Sequence, residues 1–262
     1  MAVQTPTAGG AEASAGTALY LYGITWAHAA RPQRGGGVHG ASIGATKHRV
    51  LAGLTSPVES TKVRAKRRDL LNHAAVLSTA LGHGTVLPLR FGVVFDSAEA
   101  LVEDFLTPRY AELVRLLRSF EGRVELSVKA FFREEAILAE IVRANPRIAR
   151  LREATRGASD TSTYPLRVEL GERVAAELQD RTVRDRQALL AHLSRLAVDV
   201  QVDQEPIEHQ VLGASFLVER EQVAAFDDAM NKFAQEQAPR MHFKYLGPLA
   251  PHSFVGLTAE AG

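Results

Sequence analysis

Histidine is the residue of this 262-residue chain best suited to hold a metal or move a proton near neutrality. It occurs nine times, at His28, His39, His48, His73, His83, His192, His209, His242 and His252. No two stand four residues apart as on a zinc-binding helix, and none follows zinc-finger spacing, so no metal site is expected. His83, between two glycines, reads as a plain loop histidine. Cysteine is absent, which removes disulfides, thiolate ligands and thiol nucleophiles. Asp199 and Asp203 share one face of a candidate strand, but four residues of strand separate them by about 13 Å, too far for one acid–base dyad. Ser215, in Gly213-Ala214-Ser215-Phe216, lacks the second glycine of a nucleophile elbow. Gly35-Gly36-Gly37 is followed by neither the Lys-Ser/Thr of a phosphate loop nor dinucleotide spacing. Spacing assembles no acid, base and nucleophile set, and no cofactor is implied.

Charge is more informative. The net charge is only +1, which argues against general nucleic-acid binding, yet it is unevenly placed. Between Arg31 and Arg68 nine basic residues meet one acid, Glu59; between Asp199 and Asp228 eight acids meet one base, Arg220. Lys62, Arg64, Lys66, Arg67 and Arg68 fall at the start of a candidate helix, where the helix dipole disfavours cations and a partner is the natural counterpart. Arg90 interrupts an apolar run and must either reach the surface or meet a carboxylate; an ion pair is the expectation. Pro248 and Pro251 shape a chain exit and, with Phe254, form a second candidate docking segment.

The elements that would position these residues can be read in order. The first sixteen residues, small and polar, with neither the basic start nor the apolar core of a secretory signal, read as a disordered tail. Together with the lack of cysteine they point to the cytosol. Residues 70–89 lack charge but carry too many polar and breaking residues to span a membrane. A strand is expected over 17–24 and a flexible glycine loop over 35–44. A helix is expected over 62–81, with Val63, Leu70, Ala74, Leu77 and Leu81 inward. Residues 85–94 read as a covered strand, with Pro88 at an edge or bulge. Asp96 with Glu99 suggests a capping box, and Thr107-Pro108 restarts a helix.

Alternation predicts a strand over 123–132, and Asn145-Pro146 splits a helical stretch over 134–155. A helix over 165–193 carries three acid-to-base pairs four apart, Glu169/Arg173, Glu177/Arg181 and Asp180/Arg184. Its apolar stripe lapses over 181–187, so that part is expected to project. Strands over 196–203 and 210–219, a helix carrying Phe226 and Met230, and a strand over 241–247 complete the chain. The fold class is α+β in two domains: an amino-terminal domain over 17–121 and a carboxyl-terminal one over 122–256, with a tail over 257–262. The strand–helices–strand–strand–helix–strand order of the second is that of a ferredoxin-like domain with an inserted helical pair.

Three segments resemble one family. Leu19-Tyr20-Leu21-Tyr22-Gly23-Ile24 resembles the tyrosine–glycine opening of the gas vesicle F/L proteins. Val86-Leu87-Pro88-Leu89-Arg90-Phe91-Gly92 is similar to their most recognisable run, and 246–255 resembles their closing Gly-Pro…Pro…Ser-Phe pattern. Glu125-Leu126-Ser127-Val128-Lys129 and Phe216-Leu217-Val218 add to the match, whose order along the chain is more specific than any one motif. Leu249-Ala250 replaces a typical Trp-Pro, and His252 a typical Tyr. The resemblance, with the F branch favoured over L, implies a two-domain α+β protein with a modified ferredoxin-like domain. It also implies a non-catalytic accessory role in gas vesicle assembly, in contact with the major shell protein and other accessory proteins. Two other functions fit the α+β pattern without the resemblance: a ferredoxin-like enzyme or effector-binding domain, and an RNA binder using residues 62–68, which the near-neutral charge disfavours.

Overall fold

The structure is a computed structural model that describes residues 18–60, 63–157, 160–204 and 207–257. The expected tail over 1–16 lies outside the described residues, as do Lys62 and all but Leu257 of the tail expected over 257–262; Leu257 is buried. In chain order the elements are β1 (Ala18–Trp26), β2 (Gly44–His48), β3 (Leu51–Val58), α1 (Arg67–His83), β4 (Val86–Pro88), β5 (Val94–Phe95) and the short α2 (Ala98–Ala100). A π-helical segment (Leu101–Leu106) leads to α3 (Tyr110–Ser119) and β6 (Arg123–Phe132). Then come α4 (Glu134–Ala144), α5 (Pro146–Thr155), α6 (Asp160–Leu193), β7 (Asp199–Val202), β8 (Gln210–Glu219), α7 (Val223–Gln237) and β9 (Met241–Leu249).

The chain divides into two compact units. One comprises the described residues up to His83 together with Leu89–Arg115; the other comprises Gly84–Pro88 and Leu116–Gly256. In the first, β1 is flanked by β3, which carries β2 on its far side, and by the two-residue β5, all antiparallel. The β2–β3 hairpin has no counterpart in the sequence pattern. Arg49 turns it with φ +53°, a left-handed conformation usually signalled by Gly or Asn, and β3 is buried along almost its whole length, so alternation is absent. The apolar run over 85–94 is not one strand but β4, a turn and β5. Pro88 is the last residue of β4, and Gly92 takes φ +98° in the turn. The cap of the following helix is Ser97 rather than Asp96: its hydroxyl accepts the Ala100 N–H, three residues on.

The second unit is built on a four-stranded antiparallel sheet of order β7-β8-β6-β9. Val124, Leu126, Val128, Ala130 and Phe132 of β6 are buried, as the alternation requires. Most of them pack with Phe216 and Val218 of β8, Phe226 and Met230 of α7, and Leu189 and Leu193 of α6. Asn145 stops α4 and caps α5 by accepting from the Arg147 and Ile148 N–H groups, with Pro146 in the first turn; such a cap contributes about 1 kcal/mol. β7 is shorter than expected, and Val198 and Val202 face solvent rather than the core, leaving Val200 to pack inward. At 34 residues α6 is roughly 50 Å long and begins five residues before Pro165.

Candidate functional site

The first unit is centred on a buried polar knot. Tyr20 and Tyr22 alternate with Leu21 on β1, and both rings are fully buried, so each hydroxyl needs a partner within the protein. His73, one turn beyond Asp69 on α1, lies 2.8 Å from the Tyr20 hydroxyl through Nδ1 and 3.1 Å from the Leu89 carbonyl through Nε2. A carbonyl only accepts, so Nε2 carries the proton and Nδ1 accepts from Tyr20. The Tyr20 oxygen accepts in turn from the Gly92 N–H. Tyr22 shares a 2.8 Å hydrogen bond with Ser56 and accepts the Val38 N–H. Burial pushes both tyrosine hydroxyls above their ordinary pKa and keeps them neutral.

This knot fixes two loops. The glycine-rich stretch expected to be flexible is held at its neck by Gln33 and Ile43, which bond each other through their backbones. Its tip is held because Asn72 donates to the Gly37 carbonyl and the buried Asp69 carboxylate accepts the His39 N–H. His39 is locked at φ +56° there. A side chain at Gly37 would begin 2.7 Å from the Tyr22 hydroxyl, which explains the glycine. The second loop, 89–92, is fixed at Leu89 by His73 and by the Tyr22 carbonyl, and at Gly92 by Tyr20; Phe91 packs on the Tyr20 and His73 rings.

Arg90 stands between these anchors and is exposed. No carboxylate meets it among the described residues, so the expected ion pair is absent and the side chain takes the surface route. The basic cluster is also displaced. Arg64 and Lys66 precede α1, and only Arg67 and Arg68 lie in its first turn; all four are exposed, without a salt bridge among the described residues. The inward face of α1 is Asp69, His73, Val76, Leu77, Ala80 and Leu81, whereas Leu70, Leu71 and Ala74 face solvent. The expected stripe was rotated because the hydrogen-bonding needs of Tyr20 and the 33–43 loop draw Asp69 and His73 inside.

In the second unit the tail is tied down by one carboxylate. Glu125, on β6, is 3% exposed. It accepts from the Ser215 hydroxyl at 2.9 Å, and from the Ser253 N–H and hydroxyl at 2.8 Å each. Ser215 is thus a donor within this clasp, its hydroxyl proton committed to Glu125. Gly247, at φ +154°, lies close against Leu126 and Glu125, where a side chain would collide. Of the candidate docking residues in the tail, Pro248 is exposed, Phe254 half-buried and Pro251 buried.

The lapse in the stripe of α6 does not project. Arg181 is buried there, bonded to Glu177 and, at 3.2 Å, to Glu140. Arg240 meets Glu140 and Asp185 at 2.9 Å each. Burial opposes the charge of both guanidiniums, but the carboxylates outweigh it and raise their pKa. Glu169 bridges Arg147 and Arg173, as does Glu177 Asn145 and Arg181, and those bonds hold both carboxyls below their usual range. Asp180 and Arg184 do not form the predicted side-chain pair; Arg184 donates to the Asp180 carbonyl instead. A cavity of about 400 Å³ is lined by Glu140, Arg181, Arg184, Asp185, Glu236, Gln237 and Arg240, and its main charges neutralise one another. Asp203 pairs with Lys129 at 3.7 Å. Among the described residues no group of three or more metal-ligating side chains comes together, and no helix is long and apolar enough to cross a membrane.

Residues 18–256 match the family described as gas vesicle synthesis protein GvpL/GvpF. The chain belongs to this family. It is 35% identical to gas vesicle protein F of Streptomyces sp. (strain CB03234) over 239 residues, covering 90% of this chain and 98% of that one. It is 28% identical to gas vesicle protein F of Microcystis aeruginosa (strain PCC 7806), covering 78% and 84%. The crystal structure of the gas vesicle protein GvpF from Anabaena sp. PCC7120 superposes with a TM-score of 0.77 at 26% identity, covering 93% of this chain and all of that one. The protein is therefore a gas-vesicle-related protein with the mixed α/β, two-sheet fold of its GvpF relatives.

The segments that carried the resemblance coincide with the buried polar structures. The opening strand and Leu89–Gly92 build the tyrosine–histidine knot; Glu125 and the closing segment build the clasp. Sequence reasoning missed His73, Asp69 and Glu125. The available signal was a polar residue at an inward helical or strand position, which reads as a pattern error until its partner is known.

Proposed function

We propose that this chain is a non-catalytic, cytoplasmic assembly protein of gas vesicles, acting through protein–protein contacts with the major shell protein and other accessory proteins. One observation carries this: the polar side chains at the centre of both units are spent on holding the chain's own segments, whereas the cations at Arg64, Lys66, Arg67, Arg68 and Arg90 face solvent unpaired among the described residues. An active site needs the opposite distribution, with reactive groups free and facing a cleft. The Gly-Pro…Pro…Ser-Phe tail, including Pro248 and Phe254, is a second contact region on this proposal.

We further infer that the units act as two domains, 17–121 and 122–256. The strand order β7-β8-β6-β9, with crossovers from β6 to β7 and from β8 to β9, supports a modified ferredoxin-like second domain with two helices beyond the single crossover helix. Capture of the purified major shell protein by this chain tests the function. Loss of capture on reversing the charges of residues 62–68 would assign the contact to them, and unchanged capture would retire them. Normal, buoyant vesicles after deletion of the gene, or a defined metabolite raising the melting temperature, would overturn the proposal.

A further inference from the structure

The exposed side of α1 differs from an ordinary surface helix. From Leu70 to Gly82 it carries no charged residue, and Leu71 is 61% and Leu70 44% exposed beside Ala74, Ala75, Ser78 and Thr79. A solvated helix face normally carries charged and long polar side chains. Cations gather instead at one end: Arg64 and Lys66 lead into the helix, and Arg67 and Arg68 open it, without salt bridges among the described residues. The helix dipole disfavours them there, so the fold gains nothing from the placement. Arg90 is a further exposed cation, unpaired among the described residues, in a loop pinned to the inward face of α1 through His73 and Leu89. The opposite side of α1 is held by hydrogen bonds joining Asp69 to His39, Asn72 to Gly37, and His73 to Tyr20 and Leu89, so the exposed side is presented on a rigid support.

We propose that this side of α1 docks an amphipathic helix of a partner protein, its apolar face on Leu70 and Leu71 and its acidic residues against Arg67 and Arg68. Charge complementarity selects the occupant. The cations would repel a basic helix, and a fully apolar one would leave them unmatched beside a desolvated surface. The two leucines at the centre favour a helix over a nucleic-acid backbone, which would contact cations but leave apolar side chains in water. This docking role rests on the assembly function proposed above and gives that contact its chemistry.

The test uses the full chain and two designed helical peptides with the same leucine–alanine face, one otherwise rich in glutamate and one in lysine, followed by fluorescence anisotropy. The glutamate peptide is expected to bind and the lysine peptide not. Arg67→Glu with Arg68→Glu is expected to weaken binding roughly tenfold or more, and Leu71→Glu comparably. Val168→Glu, on the exposed side of α6, serves as the control and leaves binding unchanged, and circular dichroism checks that each variant keeps its fold. Equal binding of both peptides, binding of neither, insensitivity to the α1 variants, or displacement of the glutamate peptide by single-stranded RNA or anionic vesicles would overturn the proposal. Shell-protein capture by the unmodified chain is scored separately. Capture without the peptide pattern rejects the helix dock alone, and peptide binding without capture rejects the shell protein as the partner while the dock stands.

Discussion

The two units solve the same problem with opposite chemistry. Each must hold a segment lacking regular structure, the 89–92 loop in the first and the 250–256 tail in the second. The first holds that loop with hydroxyl, imidazole and backbone groups, its buried carboxylate Asp69 serving the 33–43 loop instead: Tyr20, Tyr22, His73 and Ser56 exchange hydrogen bonds with one another and with backbone atoms of Val38, Leu89 and Gly92. The second uses charge, with Glu125 clasping Ser253 and Arg181 and Arg240 linking helices through Glu140 and Asp185. Neutral donors and acceptors can be buried completely at little desolvation cost once paired, whereas ions tolerate burial only when densely hydrogen-bonded. The neutral knot accordingly sits under fully covered rings, and much of the ionic network stays half-exposed.

The largest effect that would break this contrast comes from Tyr22→Phe. It leaves the Val38 N–H and Ser56 hydroxyl without their partner in a buried site and is expected to destabilise the first unit by about 3 kcal/mol. Denaturant unfolding, with hydrogen exchange of the β1 and β3 amides, measures it. Glu125→Ala removes a buried acceptor of three hydrogen bonds. It is expected to cost about 2 kcal/mol and to expose the 250–256 segment to proteolysis without loosening β1.

pH sharpens the contrast. The Tyr20 and Tyr22 pKa values are raised in the folded state above 10.0, so their contribution is intact below pH 10 and is lost as pH rises beyond it. The Glu169 and Glu177 pKa values are lowered below 4.5, so their contribution is present above that value and lost as pH falls through and below it. Exchange protection should therefore fail first in β1 at alkaline pH and first in α4–α6 at acid pH. Simultaneous loss in both units at either extreme would contradict the division.

Smaller still is Arg240→Met, expected to cost about 1 kcal/mol because the group is partly solvated, with the loss shrinking in 1 M salt. Arg90→Leu should change stability by less than about 0.5 kcal/mol while weakening partner capture. A large folding defect would mean that Arg90 has an internal role.

How far each part was legible follows from the range of the forces involved. β6 and the break at Asn145-Pro146 were read from the sequence because alternation and an N-cap are local signals. The β2–β3 hairpin was not, because its turn uses Arg49 and its inner strand is covered on both faces. The buried position of Arg181 was misread as a projection because an arginine in a helix looks solvated until Glu140, 41 residues away, is placed beside it.

By itself the sequence determined the family, the second unit's order of strands and helices, and the absence of thiol chemistry. Those properties depend on residue identity and on periods of two or a few residues. Tertiary structure alone decided which side of α1 faces inward, that Arg90 is exposed and meets no carboxylate among the described residues, and that the tail is clasped. Each depends on hydrogen bonds or their absence between groups far apart in the chain, 53 residues for Tyr20 with His73 and 128 for Glu125 with Ser253. Whether a polar side chain is buried depends on such a partner being there, and no local pattern encodes it.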